Sequence, residues 1–261
     1  MKYSLSSFLQ KQLLIGLTCA VTSHSISANN DNVRPTNSLV NTLKLTTWNI
    51  EHLTFPYDKI GCRPRSEKEM LELKFYTERL QSDVVALQEM GSVAAIKQLF
   101  PQDTWQIFIS DRPDSPPHNC YTSDNKSHQI KVAVAVRQGI KVKSVTSLPE
   151  FGQEYNGSRY AIEMIIGSPL GEIKLLNVHM NSGCYVNDYR ESDTRACKSF
   201  AGQAPVLDKW IEKQEQSSLP YIVLGDFNHR LAEPNNYFAR TLFNNSDSSR
   251  STLQNTTAKL V

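Results

Sequence analysis

Residues 43–50, Leu43-Lys44-Leu45-Thr46-Thr47-Trp48-Asn49-Ile50, alternate in part between apolar and polar positions. Their β-branched and apolar content predicts a strand ending at Asn49 or Ile50. Behind it, Ser66-Glu67-Lys68-Glu69 has the form of a capping box, and Met70, Leu73, Tyr76 and Leu80 recur at helical spacing. Asp83-Val84-Val85-Ala86-Leu87-Gln88-Glu89 is a short apolar run closing in polar residues, the form of a buried strand whose C-terminal end opens on a site. A short helix is expected through Leu99. Further strands are predicted at 105–110, 130–137, 159–166 and 172–179, the last following the turn Gly167-Ser168-Pro169-Leu170-Gly171. After Pro205, the residues Val206, Leu207, Trp210 and Ile211 form an apolar helical stripe, and residues 220–226 read as a final buried strand. The pattern is mostly strands with helices between some of them, an α/β chain.

At 261 residues and 39% apolar content, the chain suits one large domain better than two small ones. Its start has the form of an export signal. Lys2 and Lys11 precede the apolar run at residues 13–21, too short to span a bilayer as a stable helix, and Ile26-Ser27-Ala28 offers a cleavage site. The expected organisation is a signal at 1–28, a flexible lead-in at 29–41, and one domain over 42–261. Removing the signal takes two lysines and no acid, so the formal +2 becomes neutral and no basic field advertises a nucleic-acid partner. Cys62, Cys120, Cys184 and Cys197 then remain in an oxidising compartment. Three pairings are possible; Cys62–Cys120 and Cys184–Cys197 are favoured because each would tie a polar loop beside a predicted strand.

Three strands end in polar groups with complementary chemistry, namely Asn49, Glu89, and Asp226 with Asn228. A hard divalent cation takes oxygen ligands from one or two carboxylates plus waters and substrate phosphate, which Glu89 and the Asn49 amide oxygen could supply sparingly. Asp226 and Asn228, two residues apart, suit activation of a water and stabilisation of developing charge.

The ordered segments Thr47-Trp48-Asn49-Ile50-Glu51, Leu87-Gln88-Glu89, Asn177-Val178-His179 and Gly225-Asp226-Phe227-Asn228 resemble successive motifs of the endonuclease/exonuclease/phosphatase superfamily, in its secreted deoxyribonuclease-like branch. The resemblance implies a four-layer α/β sandwich of two packed mixed sheets with a Mg²⁺- or Mn²⁺-dependent site at one edge. By motif, Glu89 is the principal metal ligand and Asn49 supports metal or phosphate. Asp226 activates the nucleophile, Asn228 stabilises the transition state, and His179 acts on the scissile phosphate as acid or donor. Arg159, opening a strand, matches the arginine aimed at substrate phosphate, whose fork fits two phosphate oxygens.

Other polar residues read as ordinary. His52, His118 and His128 are expected in surface loops, His229 should point away from the site, Glu51 either joins the metal shell, faces solvent or pairs with a neighbouring base, and Trp48 is core. One family feature, a late Asp-His motif, is absent from the sequence; Ser246-Asp247-Ser248 has the wrong third residue, which predicts a chain lacking the last strands. The leading expectation is a secreted or periplasmic monomeric phosphodiesterase hydrolysing nucleic acid. The alternatives are a phosphatase or sphingomyelinase-like lipid phosphodiesterase, and a truncated member without catalysis.

Overall fold

Strand β1 (Gly16–Thr18) runs antiparallel to the beginning of β2 (Lys44–Leu53). The computed structural model describes residues 16–18, 42–121, 123–152, 158–233 and 235–244. The rest of the expected signal, the lead-in up to residue 41 and the C-terminal stretch 245–261 lie outside the described residues.

Helix α1 (Glu67–Leu80) starts where the sequence predicts. Ser66 caps it and Glu69 reaches back, both halves of the capping box being formed. Strand β3 (Val84–Met90) pairs parallel with β2, helix α2 (Val93–Lys97) follows, and β4 (Trp105–Ile109) lies at the far edge of the same sheet. A small hairpin, β5 (His118–Asn119) with β6 (Lys126–Ser127), precedes β7 (Lys131–Arg137), which fits antiparallel between β3 and β4. The second sheet orders β11 (Tyr221–Asp226), β10 (Gly171–His179), β9 (Ala161–Ser168) and β8 (Val142–Leu148). Strands β10 and β11 pair in parallel there and the other neighbours pair antiparallel, so both sheets are mixed.

Apolar residues divide into three clusters that define four layers. Leu45, Val84, Val134 and Val136 of the first sheet meet Ile162, Met164, Ile166 and Leu175 of the second. On the outer face of the first sheet, Trp48, Leu87 and Met90 pack with Met70, Ile96 and Phe100 of the α1–α2 side. Outside the second sheet, Leu176 and Val178 pack with Phe200, Leu207 and Trp210 of α3 (Arg195–Glu215) and Phe238 and Leu242 of α4 (Tyr237–Asn244). This is the four-layer α/β sandwich.

The short strands β1, β5 and β6 have no counterpart in the sequence reading, and α3, β8 and α4 also differ from it. Helix α3 begins ten residues before Pro205, because Thr194 caps it by accepting from Cys197 N, and Phe200, Gln203 and Ala204 extend the buried stripe. Pro205 lies inside the helix on its exposed side, where a missing N–H costs least. Strand β8 is an edge strand with mostly exposed residues, so it lacks the apolar run that marks a strand. Helix α4 is short and is capped by Asn236, whose side chain accepts from Ala239 N.

Both favoured disulfides are formed. Cys62–Cys120 ties the loop after β2 to the β5–β6 hairpin, and Cys184–Cys197 ties the loop after β10 to the first turn of α3. No helix among the described residues is long and apolar enough to cross a membrane.

Candidate active site

The parallel pairs β2–β3 and β10–β11 bring four strand ends to one edge of the sandwich. Asn49 faces Gln88 in the first register, one residue before Glu89, and His179 faces Asp226 in the second. The approach of β11 to β10 requires glycine at 225. Its φ is +139°, and a Cβ there would lie 2.1 Å from the carbonyl oxygen of Val178. Backbone strain gathers here too, since Glu51, His52, Glu89 and Asn228 all have φ between 49° and 67°. Each such left-handed non-glycine residue costs about 1–2 kcal/mol, and residues of this kind cluster at functional sites.

Asn49 joins the two sheets. Its amide donates to Glu89 Oε1 at 3.1 Å and to Asp226 Oδ2 at 2.9 Å, while its Oδ1 accepts from Glu51 N at 2.9 Å. Ionised carboxylates only accept, so the NH₂ must face them. The Asn49 amide oxygen is engaged by the backbone of the bulge in β2, while its NH₂ faces the two carboxylates.

His52 is also corrected. It lies in β2 rather than a surface loop, its N–H donates to Glu89 Oε2 at 3.0 Å, and its imidazole Nε2 stands 3.6 Å from the same oxygen. Burial pushes its pKa down, against the attraction of Glu89. The bulge turns it inward, and Arg65 holds that bulge by donating from Nη2 to the carbonyls of Ile50 and Glu51. Neither device has a sequence signal, because a period-two reading has no place for a bulge.

His179 Nε2 stands 3.8 Å from both Glu89 Oε1 and Asp226 Oδ2. The residue is 4% exposed, whereas the Glu89 and Asp226 side chains are 15% and 30% exposed, so the carboxylates face the opening and the imidazole forms the floor. Burial, followed by the charges of Arg159 and His52, holds the His179 pKa well below the ordinary histidine value. Arg159 is close enough to Glu89 and Asp226 to feel both charges, although burial weakens its hold on its proton. Asn228 N donates to Asp226 Oδ1 at 2.9 Å and its Nδ2 to Met180 O at 3.0 Å, so Asn228 orients Asp226 and keeps one amide N–H in hand.

Glu51 pairs with Arg63 at 3.6 Å, in line with the base-pairing alternative. His229 turns away onto the Phe200 ring, with centroids 4.2 Å apart, and Trp48 is buried. His118 and His128 are exposed.

Glu89 and Asp226 share a donor in Asn49, and among the described residues neither pairs with a lysine. Carboxylate oxygens of this kind are donors that suit a hard cation which retains waters, with Glu89 as the residue that would hold it. Among the described residues no group of three or more His, Cys, Asp or Glu side chains is arranged to hold a metal ion.

A mixed two-sheet α/β sandwich, with Asn, Glu, His and Asp converging from four strand ends at its edge, defines a class built to handle phosphate esters. A model described as the Endonuclease/Exonuclease/phosphatase family matches residues 46–258, and the chain belongs to that family, whose members are hydrolases of phosphate esters. No curated protein sequence matches the chain. Among solved structures, a family protein from Bacteroides thetaiotaomicron shares 16% identity at a TM-score of 0.52, covering 78% of this chain and 69% of that one. A mannosyl-6-phosphatase from B. thetaiotaomicron VPI-5482 shares 16% at a TM-score of 0.50, covering 78% and 71%. A humanised D. rerio TDP2 shares 17% at a TM-score of 0.47, covering 72% of this chain and 63% of that one, so the chain spans less than two thirds of its length.

Proposed function

We propose that the protein is an exported, divalent-metal-dependent phosphodiesterase acting on nucleic acid. The observation that carries this reading is the convergence of Glu89, Asp226 and His179 around the Asn49 amide. Asp226, oriented by Asn228, would hold and activate the attacking water. His179 would donate from a ring N–H to a non-bridging phosphate oxygen, and Asn228 would place its remaining amide N–H on the developing charge. Arg159 would orient the phosphate with its guanidinium fork. A cation such as Mg²⁺ or Mn²⁺, held mainly by Glu89, would supply charge neutralisation when bound.

Export is supported by the leader-like composition of residues 1–28 together with the two disulfides. The equal number of acidic and basic residues outside that leader favours a second reading, hydrolysis of a small phosphorylated ligand or lipid headgroup, because no basic field draws in a long polyanion. One assay decides between them. Incubation with DNA, RNA, sphingomyelin and inositol phosphates, with Mg²⁺ and with chelator, should show metal-dependent cleavage of nucleic acid. Turnover confined to a small phosphate ester would favour the second reading, and undiminished turnover in excess chelator would remove the metal.

A further inference from the structure

The segment after β4 carries an arginine that the proposed reaction does not use. Arg112 lies between anchors. Ser110 N donates to Val132 O at 3.0 Å, Asp111 N to Ser147 Oγ at 3.0 Å, and Gln129 N to Ser115 Oγ at 2.9 Å. Lys131 pairs with Asp114 at 2.7 Å, which engages the acidic residue two positions further on. The Arg112 guanidinium stands 5.9 Å from the centroid of the ring of Tyr160, next in sequence to Arg159.

The polar atoms around this point are donors without acceptors. Arg112 Nη1, Arg159 Nε, Ser110 Oγ and Ser158 Oγ are all buried and have no hydrogen-bond partner among the described residues, and each belongs to one of the two arginines or lies within two residues of one. A buried unpaired N–H costs about 1–3 kcal/mol, and buried polar atoms are nearly always paired. Two of them belong to Arg112, which stands over the ring of Tyr160, and to Arg159, the residue beside Tyr160, which leaves cationic N–H groups that an anion would satisfy. Arg159 has Glu89 and Asp226 within electrostatic reach, whereas among the described residues no carboxylate acts on Arg112.

We propose that Arg112, backed by the Tyr160 ring and set beside Arg159, is an anion subsite for a second phosphate of the substrate, the one neighbouring the phosphate under attack in a single-stranded polynucleotide. The proposal deepens the phosphodiesterase reading and rests on it for the choice of substrate. It also answers the balance of acidic and basic residues outside residues 1–28: a polyanion needs no basic surface if two fixed guanidinium groups hold adjacent phosphates.

The test reads binding in chelator, where no turnover is needed. The probes are a fluorescent short oligothymidylate, inositol bisphosphate, and the single-phosphate diester bis(p-nitrophenyl) phosphate, against full-length wild type, Arg112→Gln and Arg112→Lys. Arg112→Gln should weaken oligothymidylate binding about tenfold and lower the slope of log affinity against log salt by about 0.7, the contribution of one phosphate on a single strand. Binding of the single-phosphate diester should not change, and Arg112→Lys should keep the salt slope. An unchanged slope and affinity in Arg112→Gln overturns the subsite, as does equal weakening of all three probes. Weakening for inositol bisphosphate alone supports the subsite and overturns the polynucleotide as its source. A wild type that cleaves no phosphodiester yet shows the expected slope change loses the proposed activity and keeps the subsite.

Discussion

Gln88 Nε2 donates to Asn177 Oδ1 at 2.7 Å across the gap between the two sheets. The Asn177 amide in turn donates to the carbonyls of Leu87 and Ala133, at 3.1 and 2.8 Å, beside the irregularity where β3 and β7 fall out of register. Gln88 immediately precedes Glu89, and Asn177 stands two residues before His179, so this buried clasp sets the spacing between the halves of the site.

Breaking the clasp should therefore cost stability and geometry together. Asn177→Ala takes the side-chain donor away from two carbonyls in an apolar interior and removes the shortest acceptor of the Gln88 amide, which keeps Thr47 Oγ1 and Ala86 O, and is expected to destabilise the protein by about 2–4 kcal/mol. Urea unfolding measures it. A loss under about 0.5 kcal/mol would show that these groups find other partners.

Asp226→Asn preserves shape and removes the charge that holds the attacking water. The expected result is a fall in kcat of at least about 10²-fold with KM changed only a few-fold, since the group acts mainly in the transition state. Steady-state kinetics on the best substrate of the Mg²⁺ assay decides it; a KM effect alone would make Asp226 a binding residue.

Gly225→Ala introduces a Cβ 2.1 Å from the Val178 carbonyl oxygen at a φ that L-residues avoid. The pair of strands must separate, which should cost more than about 2 kcal/mol and displace Asp226 from His179. Thermal melting and turnover should both fall, and a variant with wild-type values in both would contradict the close approach.

Cys184–Cys197 spans 13 residues and braces the loop that leaves His179. Its removal by Cys184→Ala/Cys197→Ala should lower stability by about 2–4 kcal/mol. Non-reduced peptide mapping of protein produced in an oxidising compartment should recover this pair and Cys62–Cys120; four alkylatable thiols would refute both.

The capping box predicts an acid dependence. Hydrogen bonds from the Ser66 backbone and hydroxyl hold the Glu69 carboxyl below the ordinary glutamate range. A depressed folded-state pKa means that the contribution is full above the unfolded pKa and is lost as pH falls through the folded one. Glu69→Gln should lower the unfolding free energy modestly at neutral pH, by about 0.5 kcal/mol or less for so exposed a pair, and the difference should vanish in acid. A difference that grows in acid would reverse the sign.

Elements whose signals are local were legible along the chain. The box at Ser66–Glu69 marks the start of α1, apolar runs mark β3 and β11, and the polar residues closing those runs single out Glu89 and Asp226 as strand-end groups. Two polar residues within apolar strands, Gln88 and Asn177, are visible as departures from the pattern, but they lie 89 positions apart, and only the packing of the sheets joins them. The rest depends on contacts between distant segments. The bulge at Glu51–His52 puts His52 against Glu89, the edge position of β8 accommodates its polar composition, and Pro205 is tolerated because α3 shows it to solvent. The orientation of the Asn49 amide belongs here as well. A residue type announces that it can donate and accept, but which end meets which partner follows from two carboxylates arriving from different sheets, and those distances exist only in the folded chain.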